Sequence, residues 1–259
     1  MEHLMPYIWN SLLGLAMGGV VVFVAYRKEA LSLSGGITAV FMGTVIFVTG
    51  GWYSLLVLMV FFVSSSLLGL LHLDKPSSKR SYLQVLANGG IGMVLCILWA
   101  IFQTDLLLFL FTISFAVSTA DTWSSEIGTL SKTKPRHALK QTKMETGMSG
   151  AVTPLGLFAA VLGAALIACL YLVVEPAKDH WYLSFVSIVF FGVLGSYLDS
   201  ILGTVQVKYV DFKGRVWDSL PPSEEYSSRT GLPWLSNNLV NLFSNAIIVL
   251  IALWFFGGI

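Results

Sequence analysis

Charge is the scarcest property of this chain. Only 11% of its 259 residues are Asp, Glu, Lys or Arg, against 56% hydrophobic, and the mean hydropathy is +0.78. An ordinary water-soluble domain carries about a quarter charged residues, so that class is excluded. Cysteine is nearly absent as well. Cys96 and Cys169 both lie in apolar runs, which argues against a structural disulfide and leaves the redox compartment unread. The four histidines, His3, His72, His137 and His180, show no metal-ligand spacing. No GxxxxGKS/T loop, HExxH, CxxC or GxSxG sequence occurs, so the common nucleotide-loop, zinc-protease, thiol-redox and serine-hydrolase sites are excluded. A periodic nucleic-acid surface is missing. The first apolar stretch lacks a basic n-region and a small-residue cleavage site, and it reads as a retained helix.

Long apolar runs are what the chain has in place of charge. A helix needs about 20 residues to cross a hydrocarbon core of roughly 30 Å. By that measure the expected fold is all-α, a polytopic membrane bundle forming a single domain over 1–259. About eight transmembrane helices are expected, at 6–26, 33–51, 53–73, 83–103, 105–120, 151–174, 182–204 and 238–257, with seven as the alternative count. Polar stretches at 74–82, 121–150 and 207–236 interrupt them on one side.

The positive-inside bias sets the orientation. With both termini outside, the inside loops hold Arg27, Lys28, Lys75, Lys79, Arg80, Lys132, Lys134, Arg136, Lys140, Lys143, Lys208, Lys213, Arg215 and Arg229. Of the fifteen Lys and Arg, only Lys178 then falls outside. A multi-pass protein of a prokaryotic plasma membrane is expected, its polar loops facing the cytoplasm.

Within this apolar background a carboxylate is expensive, roughly 2.5–3.5 kcal/mol at a bilayer centre, and it faces a partner, water or a ligand. Two segments carry one near a membrane end: Ala120-Asp121-Thr122-Trp123-Ser124-Ser125-Glu126-Ile127-Gly128, and Gly195-Ser196-Tyr197-Leu198-Asp199-Ser200. On a helix Asp121 shares a face with Ser124 and Ser125, while Glu126 diverges from it. One ion held by both would need a bend or an unwound turn. Ser196, Asp199, Gly203 and Gln206 form one stripe at i, i+3, i+7 and i+10. Helix packing accounts for the small residues of that stripe but not for the acid. Gln84 and Asn88 make a third polar stripe. Asn238, Asn241 and Asn245, with Asn237 beside them, make a fourth that fits either ligand contacts or interhelical hydrogen bonds. Oxygen donors of this kind suit Mg²⁺, with Mn²⁺ as a substitute.

The basic loop at 129–150 runs into Gly147-Met148-Ser149-Gly150-Ala151-Val152-Thr153. Cations before a small-residue turn that enters a helix form a plausible phosphate cradle. Arg136 is the preferred phosphate contact because a guanidinium binds phosphate in a bidentate manner. Lys79 and Arg80 are weaker candidates. Attraction to anionic lipid accounts for part of the same basic charge.

Taken in order, QVLANGG at Gln84–Gly90, ADTWSSEIG at Ala120–Gly128, Pro135-Arg136, the Gly147–Gly156 turn, GSYLDSILGTVQ at Gly195–Gln206 and WLSNNLVNLFS at Trp234–Ser244 resemble a known membrane family. That family includes plant and cyanobacterial phytyl-phosphate kinases, and its catalytic core corresponds to 84–245 here. The resemblance implies transfer of a nucleotide's terminal phosphate to an isoprenyl monophosphate, giving the diphosphate. On the matching positions Asp121, Glu126, Asp199 and Asn238 become catalytic candidates, the three carboxylates also as metal ligands. Asn88, Arg136, Gly147, Ser149, Gly150, Thr153, Ser196, Ser200, Gln206 and Asn241 become substrate or phosphate contacts. The turn departs from the family's usual GT-x-GG, because Met148 and Ala151 replace Thr and the second Gly. A weaker likeness in layout, to membrane enzymes that make CDP-lipids, favours CTP among nucleoside triphosphates.

In that chemistry the phosphate monoester is already an oxyanion and needs no general base. The isoprenyl tail is expected between helices, with Gly89, Gly90 and Gly203 easing close approach. The expected partners are the isoprenyl monophosphate, the nucleotide and membrane lipids, with no nucleic acid; oligomeric state is not legible. A CDP-lipid-forming cytidylyltransferase and a lipid-phosphate or ion transporter are the alternatives.

Overall fold

The computed structural model describes residues 5–69, 71, 79–174, 181–218, 220–221 and 225–258. Lys75, Lys178, His3, His72 and His180 therefore lie outside the described residues. Seven long apolar helices carry the fold: α1 (Met5–Arg27), α2 (Leu33–Gly69), α3 (Tyr82–Phe102), α4 (Asp105–Gly128), α5 (Pro154–Val174), α6 (Trp181–Gly203) and α7 (Asn237–Phe256). The all-α multi-pass bundle is thus what the structure has.

The difference between seven and eight lies in α2. Straight, its 37 residues would span about 55 Å, far beyond the hydrocarbon core. Instead Gly51 adopts φ 69°, ψ −164°, a region open in practice only to glycine. The chain folds back there. A Cβ on Gly43 would stand 3.7 Å from Leu58, although fifteen residues of straight helix would separate them by about 22 Å. Arg80 closes the other end, contacting Ser32 before the first arm and Ser66 in the second. The two expected spans 33–51 and 53–73 are therefore the arms of one folded helix.

α4 is the axis of the bundle and packs against α2, α3, α5, α6 and α7. Its residues Phe109 to Ala120 are buried without a break, the pattern of a helix enclosed on all sides. Phe111 and Phe115 fill one flank, with rings 4.9 Å apart. The other flank is made of small residues. A Cβ on Gly192 would press on Ala164 and Ala116, and one on Gly195 on Val117 at 2.6 Å, so α6 lies close against α4. Of the hydroxyls this buries, Thr112 Oγ1 donates to Leu108 O and Thr119 Oγ1 to Phe115 O within the helix, at 2.9 and 2.7 Å, and Ser118 Oγ donates to Asn88 O of α3, whereas Ser114 Oγ has no partner among the described residues.

α4 also corrects the expected span 105–120, since it continues to Gly128 and carries the whole acidic segment in helical form. Thr122 Oγ1 returns to Ser118 O and Ser125 Oγ to Thr122 O, so the polar residues bond along the helix and do not break it.

Two small sheets, not expected from the sequence, sit in the loops at this end. β1 (Arg136–His137) pairs antiparallel with β2 (Ala151–Val152). β3 (Lys208–Val210) lies between β4 (Val216–Trp217) and β5 (Ser228–Thr230). α1 and α4 end on this face, and α3, α5 and α7 begin there. Every described Lys and Arg lies in or beside a loop on the same face.

Replacing Gly51 by Ala is expected to destabilise the protein by about 1–3 kcal/mol through backbone strain, since no atom stands within 4 Å of the new Cβ. Gly90→Ala, equally uncrowded but with ordinary helical φ, is the control. Thermal unfolding in detergent should separate the two, and equal midpoints would remove the strained turn.

Candidate active site

At the loop-bearing end, five helices and three loops enclose a polar cavity of about 330 Å³. α3 contributes Gln84 and Asn88, α4 contributes Asp121 to Glu126, α6 contributes Asp199 and Ser200, and α7 contributes Asn237 and Asn241. The turn from Thr146 to Ala151, Thr153, Arg80 and Asp218 complete the wall. All four polar stripes of the sequence meet here.

Asp121 and Asp199 come from different helices and lie close enough to interact electrostatically. Asp199 is buried, with 7% of its surface exposed. Ser244 Oγ donates to its Oδ2 at 3.0 Å and also bonds Asn241 O. The Asn241 amide stands between two partners. In one orientation it donates to Asn88 Oδ1 at 3.2 Å; turned over, it donates to Asp199 Oδ2 at 3.1 Å and to Asn237 O at 2.9 Å. Deeper in the bundle, Asn245 Nδ2 donates to Ser114 O and Ser118 Oγ, and Ser118 Oγ donates to Asn88 O at 2.7 Å. The chain of bonds ties α3, α4 and α7 beneath the cavity and fixes the register of the side chains above.

Glu126 lines the same cavity but does not join the pair. Because α4 is continuous, five residues turn Glu126 about 140° away from Asp121. Among the described residues no three Asp, Glu, His or Cys side chains converge as a metal cluster. Glu126 interacts instead with Arg80, whose guanidinium pKa burial pushes below its ordinary value and Glu126 opposes. Arg80 is fixed by its backbone: its N–H donates to Ala30 O at 3.1 Å, and its carbonyl accepts from Ser32 N at 3.1 Å and Ser32 Oγ at 3.2 Å. The side chain lies over the Phe62 ring, 5.8 Å from its centroid.

The glycine turn is shaped by close packing. Gly147 and Gly150 have φ of 85° and 84°, conformations that side chains resist. A Cβ on Gly150 would meet Thr204 N at 2.9 Å, and one on Gly203 would meet Ser149 Oγ and Gly150 N. Gly203 thus seats the turn on the end of α6 and does not face a lipid tail, as its stripe suggested. Gly89 also differs, a Cβ there meeting Met42 Sδ at 2.6 Å. The backbone of Ser149 is held twice, its N–H donating to Asp218 Oδ2 at 2.8 Å and its carbonyl accepting from Lys208 Nζ at 3.0 Å. Burial lowers the Lys208 pKa, and the Asp218 charge counters that. Thr153, buried behind the turn, caps α5: its Oγ1 accepts from Gly156 N at 3.0 Å and donates to Gly128 O. Its hydroxyl is committed to the fold.

Four expected contacts stand elsewhere. Arg136 is exposed on β1 and lines a separate pocket on the loop surface with Lys134 and Lys143; in the extended strand its neighbour Pro135 points into the polar cavity instead. Asn238 gives place to Asn237, one residue earlier on α7. Ser196 is buried in the α6 packing, its carbonyl accepting from Ser200 Oγ. Gln206 is wholly buried beside Gly231, its side-chain amide without a hydrogen-bond partner among the described residues. Two groups the sequence reading passed over are Asp218 and Ser244. Ser244 follows Asn237 and Asn241 at i+7, a helical stripe shifted by one residue; Asp218 lies among strands too short to leave a periodic signal.

With the geometry in view, comparison places the chain among known proteins. The family model described as "Integral membrane protein DUF92" matches residues 16–249. The chain is 29% identical to "Protein PGR" of Arabidopsis thaliana over 91% of its own length and 92% of that protein's. It is 36% identical to the uncharacterized membrane protein MJ0933 of Methanocaldococcus jannaschii, over 57% of its own length and 64% of that protein's. No solved structure matches.

Two outcomes are expected from the loops. Gly150→Ala should cost about 1–3 kcal/mol from the left-handed backbone alone, lowering the midpoint of thermal unfolding; an unchanged midpoint would show that the turn does not pack on α6. The second concerns pH. Asp211 accepts from Arg215 N, Trp217 Nε1 and Lys213 N, and these bonds, led by the Arg215 N–H, hold its pKa below the ordinary value. A depressed folded pKa contributes order above the unfolded value, about 4, that is lost as pH falls through the folded one. Proteolysis between β3 and β4 should therefore rise only below pH 4, and Asp211→Ala should show it at pH 7. Cleavage of the wild type independent of pH would refute the assignment.

Proposed function

Since the chain belongs to the integral membrane family DUF92, we propose that it is a phosphotransferase of the membrane, passing the terminal phosphate of a nucleoside triphosphate, CTP favoured, to an isoprenyl monophosphate. The observation that carries the reading is the meeting of Asp121 and Asp199 in one cavity with Arg80 and the Gly147–Gly150 turn. The resemblance of the motifs to the phytyl-phosphate kinase family supports the substrate class, and the positive charge of the loops supports a reaction at the cytoplasmic face.

The charge balance explains why a divalent ion belongs here. Among the described residues, Asp121, Glu126, Asp199 and Asp218 line the cavity against one lining cation, Arg80. A phosphate brought into such a site meets like charge, worth about 4 kcal/mol for each unit pair 4 Å apart at an effective dielectric of 20. The donors are all oxygens, carboxylates with amide and hydroxyl neighbours, and this set fits Mg²⁺, or Mn²⁺ in its place. Asp121 and Asp199 would hold the ion, which when bound would neutralise phosphate charge.

Ser244 and Asn241 fix the Asp199 carboxylate, so its direction is set before substrate arrives. Arg80, anchored by its own backbone, grips a phosphate oxygen, and the glycine turn brings backbone amides to the same place. An acceptor phosphate oxygen then attacks the terminal phosphorus, the bond to the bridging oxygen breaks, and nucleoside diphosphate leaves. Positioning supplies most of the acceleration.

The direct test supplies purified protein with Mg²⁺, each nucleoside triphosphate and a series of prenyl monophosphates. Nucleoside diphosphate with lipid diphosphate is expected; CDP-lipid with pyrophosphate would replace the kinase by a cytidylyltransferase, and nucleotide-independent flux across vesicles by a transporter. Asp199→Asn and Asp121→Asn should abolish turnover in folded protein. Arg80→Ala should lower kcat/KM about 10–100-fold, the equivalent of one charge-assisted hydrogen bond of about 1.5–3 kcal/mol. Arg136→Ala should change it by about twofold or less, as expected of an exposed charge outside the cavity. The reverse order of these two arginines would reject the arrangement.

A further inference from the structure

A second cavity, of about 120 Å³, opens beside the polar one. Its walls are one side of α1, both arms of α2 and the start of α3, and the two cavities share Phe61, Arg80, Gln84 and Asn88. On one side of that seam stand carboxylates and amides. Beyond it, deeper between α1 and α2, the surface is hydrocarbon and thioether, with Met17, Met42, Leu58 and Met59.

The space exists because side chains are missing where helices could have met more closely. A Cβ on Gly18 would find Val40 at 3.6 Å and one on Gly43 would find Leu58 at 3.7 Å, both ordinary contacts. These glycines differ from Gly192 and Gly195, where a Cβ would collide at 2.7 and 2.6 Å. Close backbone packing therefore explains the α6 glycines and not Gly18 or Gly43, which leave room instead. Along the wall from Gly14 to Val22, α1 rises about 12 Å. α1 packs chiefly on α2 and is the least buried of the seven helices, so one peripheral helix separates the cavity from lipid.

We propose that this cavity holds the hydrocarbon chain of the lipid phosphate whose head group occupies the polar cavity, with Arg80 at the seam fixing the phosphate. Water is a poor occupant, because an apolar cavity offers it no partners. A chain reaching laterally from the bilayer meets a matching surface that leads to Arg80 at the edge of the polar cavity. The inference rests on the lipid-phosphate reading for the identity of the head group; an apolar chain between α1 and α2 does not require phosphoryl transfer.

The experiment uses full-length protein in lipid nanodiscs and a three-isoprene monophosphate carrying a terminal diazirine. Irradiation and peptide mass mapping locate the adducts. They are expected on Met17, Met42 or Met59 and to be competed by unlabelled prenyl monophosphate. The paired substitutions Gly18→Leu and Gly43→Leu should reduce them at least tenfold. Gly19→Leu, whose Cβ meets nothing within 4 Å, should leave them unchanged. Adducts confined to bilayer-facing Leu12, Phe41 and Trp254, or indifference to the paired leucines, would overturn the proposal. The wild-type map needs no variant, so a misfolded variant does not decide the matter. Labelling inside the cavity without any phosphoryl transfer would support the cavity and remove the kinase. Turnover with labelling elsewhere would keep the kinase and remove the cavity.

Discussion

Two carboxylates of like charge on separate helices, Asp199 buried and Asp121 half-buried, share one cavity in a bundle that is otherwise almost free of charge. At an effective dielectric of 20 their repulsion reaches about 4 kcal/mol at a separation of 4 Å, a large part of the net stability of a folded domain. The surroundings are built to hold them there. Ser244 and Asn241 donate toward Asp199, and the Asn245–Ser118–Asn88 bonds lock the three helices below. A bundle that wanted only packing would place leucine at 121 and 199. Keeping acids there while fixing one of them by hydrogen bonds holds both in the cavity that Arg80 also lines, the arrangement on which the proposed divalent-ion site rests.

The loops serve the same end by a different route. The turn at 147–150 reaches the cavity wall by leaving helical geometry, at the cost of two left-handed residues and a seat on α6 that only glycine allows. Asp218 and Lys208 then hold Ser149 from both sides of its peptide. Arg80 follows the same logic: its backbone is stitched to Ala30 and Ser32, so a long flexible side chain starts from a fixed point and loses less freedom on binding an anion.

Much of this was legible in the sequence, and the misses have common causes. Apolar length gave the spans, and basic loops placed them, because both signals are sums over many residues. The count at α2 turned on the single backbone state of Gly51, which composition does not reveal. The span at 105–120 was drawn short because serine, threonine and acid residues look like a loop; in the structure their hydroxyls bond back to the helix they would otherwise have ended. Asp121, Asp199, Asn88, Asn241 and the glycine turn line one cavity, while Glu126 diverges from Asp121 as the helical spacing requires. Arg136 carries the sequence signal because it follows Pro135 in the loop that enters the glycine turn, yet in a strand alternate residues face opposite ways and Pro135 takes the inward position. Asp218 carried no signal: it reaches the site through strand pairings of two or three residues, below the length at which periodicity can be read.

One asymmetry ties the charges together. The loops around the mouth are basic, whereas among the described residues the cavity within is lined by four carboxylates and one arginine. Polyanions are drawn to the rim over roughly a Debye length of 8 Å in physiological salt, but a bare phosphate gains nothing by going further. In the proposed reaction a phosphate arriving with its divalent ion would find the opposite balance, the ion drawn by Asp121 and Asp199 and the oxygens by Arg80. Rim and interior would then select in sequence, first for negative charge and then for negative charge already paired with a cation. A nucleoside triphosphate would meet both conditions, and a lipid monophosphate reaching Arg80 from the apolar side would meet only the part of the site that needs no ion. The two reactants would then approach from different directions and face each other across Asn88 and Gln84, where the polar and apolar cavities join.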